Sequence, residues 1–385
     1  MRISIVSETY PPEINGVALT VYSLAAGLAA RGHQIDLIRP RQSHGLADEA
    51  GICTLEVRSG TLPRYPELRF GLPAGRLLRR HWSQHRPDAV YVATEGPLGW
   101  SAMRTAQRLG IALSSGFHTR FDHYAGHYGL GWLTPLVRGH MRRFHQRADA
   151  SLVPTAALAR ELLAMGISNA RLLRRAVDTQ LFHPDRRDES VRAGWNASPS
   201  TPVVLYVGRI AAEKNLQLAV DAFRAIQQRV PQARYVWIGD GPARATLQAE
   251  NPDFIFTGVL RDEALARHVA SADLFVFPSL SETFGNVIVE AMAAGLAVVA
   301  YAQGAALEHL RDGVNGYCIE QGDSAAFIQA ATRLATNPAL IRHMGRAAHT
   351  GMAGLSPDAV IRDFECLLRE LAEENMHEHV TVAHA

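Results

Sequence analysis

Two short stretches of this chain carry residue types that could bind an anion and a sugar together. One is Gly208-Arg209-Ile210-Ala211-Ala212-Glu213-Lys214-Asn215, which follows the apolar strand pattern 203–208. Two cations five residues apart after a strand end can converge on one diphosphate, the arginine as a planar fork and the lysine as a mobile point charge. Lys214 is the only lysine in the chain, so the position is chemically specified. The other stretch is Ser281-Glu282-Thr283-Phe284-Gly285-Asn286-Val287-Ile288-Val289-Glu290, preceded by an apolar strand pattern at 274–278 and continuing into a small-residue helix over 287–294. A strand, a polar turn and a helix start offer unpaired N–H groups and a positive dipole end to an anion. Glu282 lies in the turn, and Glu290, eight residues on, is expected about two helical turns down on the same side. Carboxylates beside an anion site need other work, such as gripping hydroxyls, so the ligand should carry phosphates and sugars together.

In the setting S-E-T-F-G-N-V-I-V-E-A-M-A-A-G, the Glu-x7-Glu pair resembles the signature of retaining glycosyltransferase family 4, and G-R-I-x-x-x-K-N resembles that family's diphosphate-binding pair. The resemblance implies an α/β fold of two facing, doubly wound Rossmann-like parallel-sheet domains with a cleft between them (GT-B). It also implies a nucleotide-sugar donor, no metal and no other cofactor. Arg209 and Lys214 would then stabilise the departing diphosphate, with Gly208 opening their loop. Backbone N–H groups around Phe284, Gly285, Asn286 and Val287 would hold phosphate and sugar oxygens, Glu282 would orient the sugar hydroxyls, and Glu290 would hold the ribose. By the same resemblance the turn near 258–262 receives the nucleobase. Asp262 could accept from guanine N–H groups, but it is equally well placed as a helix N-cap, so the base stays open. In the first β-loop-α unit the family usually has a Gly pair that approaches the donor phosphate or the acceptor. Here Asn15 replaces one glycine and Gly16 remains, leaving room for an Asn15 side-chain contact. His118, after the strand pattern 111–115, matches a family histidine near the sugar's reactive carbon. The pattern F-H-T-x-F-x-x-Y from Phe117, followed by His127-Tyr128-Gly129, most resembles members that use GDP-mannose to mannosylate lipids. His123 and His127 are spaced i, i+4, but no third metal ligand with a known motif accompanies them.

These residues need elements to position them. A chain of 385 residues, 47% apolar and 20% charged, has room for two or three domains and reads as soluble and globular. No apolar run is long enough to suggest a membrane span. The N-terminus enters a strand pattern directly and lacks a signal-peptide shape. Three scattered cysteines form no disulfide or zinc pattern, which suggests a reducing cytoplasm. Strand patterns at 2–7, 34–39, 52–57, 89–93, 111–115 and 151–154, mostly separated by helical ones, predict a parallel α/β sheet, with a helix over 17–31 after the first strand. Ligands of such sheets bind outside the carboxyl ends of the strands. The expected domains are 1–178, on the acceptor side, and 185–356, binding the nucleotide sugar. A final helix at 357–374 should return to the first domain, and 375–385 should form a mobile tail.

The net charge of +2 hides an asymmetry: residues 1–184 carry +9 and the rest −7. Arg64, Arg69, Arg76, Arg79, Arg80, His81, His85 and Arg86 are interleaved with apolar residues, and a second basic helix carries Arg138, His140, Arg142, Arg143, His145 and Arg147. Such segments suit an anionic membrane surface. No nucleic-acid fold signature accompanies them. The expectation is a retaining, metal-independent hexosyltransferase moving α-mannose from GDP-mannose to a lipid or glycan acceptor, peripheral on the inner face of the cytoplasmic membrane. The alternatives are a UDP-sugar enzyme with a soluble or polysaccharide acceptor, and a non-catalytic nucleotide-sugar-binding protein. Intact Arg209, Lys214 and Glu282 argue against the last.

Overall fold

Runs of β-branched and aliphatic residues form the parallel strands of two sheets, and the inner strands are buried on both faces. The computed structural model describes residues 1–13, 16–42, 50–62, 65–118, 134–280, 282 and 284–383. It divides into one unit of Met1–Arg175 with Pro357–Ala385 and another of Ala176–Ser356.

The first unit holds β1 (Arg2–Val6), α1 (Gly16–Ala30), β2 (Gln34–Pro40), β3 (Ile52–Val57), β4 (Ser59–Leu62), β5 (Tyr65–Gly71), α2 (Gly75–Gln84), β6 (Ala89–Val92), α3 (Pro97–Leu109), β7 (Ala112–Gly116), α4 (Thr134–His145), β8 (Ala150–Val153), α5 (Ala156–Ala164) and β9 (Ala170–Leu172). Its parallel sheet runs β3-β2-β1-β6-β7-β8-β9. The chain reverses its direction of winding between β1 and β6. β9 and the antiparallel β4–β5 pair have no counterpart in the strand patterns read from sequence.

The second unit holds α6 (Glu189–Gly194), β10 (Val203–Val207), α7 (Leu216–Arg229), β11 (Arg234–Ile238), α8 (Arg244–Glu250), β12 (Ile255–Gly258), α9 (Asp262–Ala270), β13 (Leu274–Phe277), α10 (Asn286–Ala293), β14 (Ala297–Tyr301), α11 (Gly304–His309), β15 (Gly316–Ile319), α12 (Ser324–Ala335) and α13 (Pro338–Gly351). Its parallel sheet runs β12-β11-β10-β13-β14-β15, with the reversal between β10 and β13. All five residues of β10 are buried, as a central strand covered on both faces requires. Arg192, fully buried, ties α6 to this unit by donating to Asp273 and to the carbonyls of Ser198, Thr201 and Ser271.

The last helix, α14 (Pro357–Ala383), returns to the first unit. Arg31 meets Glu365 at 2.6 Å, Arg171 reaches Glu370 and Glu374, and Arg174 pairs with Asp363. Phe364 packs edge-on against Tyr91, 5.1 Å between ring centroids. Gly27 lets α1 approach Ile361, whose side chain a β-carbon there would strike at 2.1 Å. The helix continues to Ala383, where a mobile tail from Asn375 was expected, because no glycine or proline interrupts it after Pro357.

The basic stretch 64–86 is likewise not one amphipathic segment. Its first half enters the β4–β5 pair, and only α2 is helical. Arg64 lies outside the described residues, as do His123 and His127. α2 buries Leu78 and Trp82, whose indole N–H donates to Ser4 Oγ at 3.1 Å, and leaves Arg76, Leu77, Arg79 and Arg80 exposed. His81 sits 3.4 Å from Asp36 and is not part of the exposed face. On α4, His145 is fully buried between Glu95 at 2.8 Å and Ser115 at 2.9 Å, so the second basic face is smaller than the sequence suggested. No helix among the described residues is long and apolar enough to cross a membrane.

Candidate active site

The winding reversal of the second unit leaves the loops after β10 and β13 side by side at the carboxyl edge, where open α/β sheets bind ligands. The loop after β10 is shaped by glycines. Gly208 has φ +150°, and Gly239, at φ +135°, lets the end of β11 pass so close that a β-carbon would lie 2.0 Å from the Gly208 carbonyl oxygen. Tyr206 Oη donates to the Arg209 carbonyl at 3.0 Å, and Ile210 N donates to the Asp240 carbonyl at 2.9 Å. A single 3₁₀ turn, Ala212–Lys214, then ends at Asn215 in the left-handed region before α7 starts. This path presents Arg209 and Lys214 from one short loop.

The loop after β13 is strapped from the other side. Gln303 donates to the Ser279 carbonyl and accepts from Glu282 N at 3.4 Å. Phe284 is buried, and its carbonyl accepts from Ala305 N at 2.6 Å. Gly304 passes so near that a β-carbon there would lie 2.3 Å from that carbonyl oxygen. Gly285, at φ +87°, then turns the chain into α10, and among the described residues no side chain caps the first-turn N–H groups of Asn286 and Val287. The helix begins at Asn286, so Glu282 lies outside it and helical spacing does not relate Glu282 to Glu290. The left-handed Gly285 sets their relation instead.

The two loops meet directly. Lys214 Nζ donates to Glu282 Oε1 at 2.5 Å, with both side chains largely buried, and Leu280 N donates to the Glu213 carbonyl at 3.3 Å. Arg209 is different: its side chain is 62% exposed and its nearest carboxylate, Glu213, is 3.6 Å away, so it remains available to a ligand. Glu290, partly buried on α10, has no hydrogen-bonding side-chain partner among the described residues. Burial pushes its carboxyl up to about 7. Gly208, Arg209, Lys214, Glu282, Phe284, Gly285, Asn286, Val287 and Glu290 therefore all belong to this edge. Asp262 is on the same unit but does not cap α9. Arg261 occupies the N-cap in an extended conformation, and Asp262 is the first helical residue, exposed, at φ +47°. That positive φ in a non-glycine residue marks local strain.

The first unit arranges its own reversal differently. Glu8, after β1, receives the N–H of Gly71 and, at 2.9 Å, that of Leu98 in the first turn of α3. Burial raises the pKa of this carboxyl. A built-in carboxylate thus fills the α3 terminus, whereas the start of α10 in the other unit stays open to an external anion. Gly16 begins α1, and Asn15 lies outside the described residues. His118 follows β7, and both of its ring nitrogens are engaged. Arg175 donates to Nδ1 at 2.7 Å, which leaves the proton on Nε2 to donate to Tyr91 Oη at 2.6 Å. Burial first, then the Arg175 charge, hold its pKa well below 6.5. Arg175 also donates to Thr20 on α1. Gly116 makes room for the pair, since a β-carbon there would lie 2.3 Å from Tyr91 Oη. Arg175, Gln303 and Glu8 did not emerge from the sequence, because each acts on residues far away along the chain.

Comparisons with known proteins identify the family. Residues 14–181 match the model described as Glycosyltransferase Family 4, and residues 201–337 match the one described as Glycosyl transferases group 1. A GDP-mannose-dependent alpha-mannosyltransferase of Mycobacterium tuberculosis is 34% identical over 305 residues, 78% of this chain and 79% of that protein. A GDP-mannose-dependent alpha-(1-6)-phosphatidylinositol dimannoside mannosyltransferase of the same species is 30% identical over 362 residues, 90% of this chain and 91% of that one. In fold, a sucrose-phosphate synthase from Thermosynechococcus elongatus superposes with a TM-score of 0.76 at 20% identity, covering 96% of this chain and 98% of that one. The chain is a glycosyltransferase and belongs to glycosyltransferase family 4.

Proposed function

We propose that this enzyme moves α-mannose from GDP-mannose to a lipid or glycolipid acceptor at the cytoplasmic face of a membrane, with retained configuration and without a metal ion. The observation that carries the chemistry is the Lys214–Glu282 contact joining the loops after β10 and β13, beside an exposed Arg209 and an uncapped α10. The choice of sugar and of a lipid acceptor is supported by the two mannosyltransferase relatives.

Lys214 neutralises Glu282. A diphosphate entering the crevice offers Lys214 a second anion, and Arg209 and the first-turn N–H groups of α10 complete the grip. Glu282, partly released, then accepts from sugar hydroxyls, and Glu290 accepts from the ribose. Asp262 faces the base. By the family resemblance Gly16 and Asn15 would contact the donor phosphate or the acceptor, whereas His118, expected near the sugar's reactive carbon, has both ring nitrogens taken by Arg175 and Tyr91 and would position the end of β7 instead. In the transfer, the bond between the anomeric carbon and the diphosphate oxygen breaks with both electrons leaving on oxygen. The acceptor hydroxyl oxygen bonds to that carbon on the same face, and its proton passes to the departing phosphate oxygen. Preorganised cations are worth most at this leaving oxygen, where negative charge develops.

The test is donor selectivity with product analysis. GDP and GDP-mannose should raise the melting temperature while UDP and UDP-glucose leave it nearly unchanged, and mannosyl lipid should form in the presence of EDTA. A UDP-specific shift would overturn the donor assignment. Activity lost in EDTA and restored by magnesium or manganese would overturn metal independence.

A further inference from the structure

Arg58 after β3, Arg76 and Arg79 on α2, and Arg108 in the last turn of α3 surround a cleft of about 810 Å³ in the first unit, with Leu72 and Leu77 among its walls. All of the residues that line this cleft belong to the first unit, whereas Lys214 belongs to the second. All four arginines are exposed, and among the described residues none has an ion-pair partner and no carboxylate lines the cavity. Four guanidinium groups around one cavity repel each other and are stabilised by an anion with several acceptor oxygens, which their planar forks suit. The walls add a second requirement. Leu77, 42% exposed, and a half-buried Leu72 line the same cleft as the arginines. A free phosphate would leave those apolar surfaces wet, whereas a phosphate carrying acyl chains would cover them.

We propose that this cleft is a discrete site for the phosphate headgroup of an anionic phospholipid, with the acyl chains leaving along Leu72 and Leu77. The preference for lipid over a soluble phosphate rests partly on the lipid-acceptor reading above, but the site makes its own prediction. It is saturable and local, unlike adsorption by net positive charge.

The experiment is co-sedimentation of the full chain with phosphatidylcholine vesicles, with and without phosphatidylglycerol. The parent should bind only the anionic vesicles, and excess glycerol phosphate should displace it. The double variant Arg76→Gln/Arg79→Gln should lose about 30-fold in vesicle affinity, the weight of two basic contacts at an anionic surface. Arg142→Gln/Arg143→Gln on α4 removes the same charge outside the cleft and should change little. Equal losses in the two double variants would reduce the effect to diffuse charge and overturn the site. So would absence of binding to anionic vesicles. Binding of glycerol phosphate without vesicle binding would assign the cleft to a soluble phosphate and overturn the lipid assignment. The GDP-induced melting shift, measured on the same variants, reads the other unit, so failure of the cleft and failure of the transferase reading are distinguishable.

Discussion

Glu290 gives the most quantitative prediction, because desolvation alone displaces its carboxyl from the ordinary range. Burial lifts its carboxyl from the ordinary 4.5 to about 7. The unfolded chain therefore releases this proton at lower pH than the folded one. The group's contribution is favourable below 4.5, declines as pH rises through the interval up to about 7, and is constant above it. The full penalty at pH 8 is at most about 3 kcal/mol, less whatever solvent reaches the partly exposed carboxylate. Glu290→Gln keeps the shape and removes the titration. It should match the parent near pH 4.5 and melt roughly 4–10 °C higher at pH 8, the shift expected for a unit of this size. Calorimetry across that range measures it directly. Binding of GDP should add a second signature. Ribose hydroxyls donating to the carboxylate lower its pKa, so the parent should release protons on binding near pH 6, and the variant should not. Titrations in buffers of different ionisation enthalpy read this release. A melting difference that stays flat from pH 4.5 to 8 would refute the desolvated carboxyl and the ribose role built on it.

Three further outcomes follow from the site. Lys214→Ala leaves Glu282 without its cation and should lower kcat/KM by at least roughly 100-fold, measured by steady-state mannosyl transfer; near-normal turnover would remove the leaving-group role. Gly239→Ala drives a β-carbon to 2.0 Å from the Gly208 carbonyl and should displace the Arg209 loop, weakening GDP at least about tenfold by calorimetric titration while far-ultraviolet circular dichroism stays unchanged. His118 is held neutral by burial and by Arg175, so stability should fall as pH drops below about 6.5, where the unfolded imidazole takes a proton. His118→Gln should flatten that limb of the denaturation profile, and an unchanged profile would exclude the buried neutral imidazole.

The sequence was most legible where a local pattern decides a local structure. The apolar runs that became β1, β10, β13 and β14 are buried on both faces and needed no tertiary information to read. The two cation–carboxylate stretches were visible for the same reason, because a strand end followed by glycine and a helix start is a local event. The errors came from turns and distant partners. Helical spacing between Glu282 and Glu290 failed because Gly285 turns into the left-handed region just before the helix begins. Arg69 and its neighbours read as part of one basic amphipathic segment because the charge hid the alternation of a short hairpin. Arg175 was invisible as a site residue because its partners, His118 and Thr20, lie 57 and 155 residues away. Gln303 looked like any loop residue until its amide was seen bridging Ser279 and Glu282.

The central claim is that Arg209 and Lys214 grip a diphosphate at the start of α10. Calorimetric titration of GDP and of guanosine into the parent, Arg209→Ala and Lys214→Ala measures this grip without turnover. The account predicts that each variant loses at least about tenfold in GDP affinity, the weight of one charge-assisted phosphate contact, while guanosine binding is unchanged. GDP affinity equal to the parent's in both variants would contradict it.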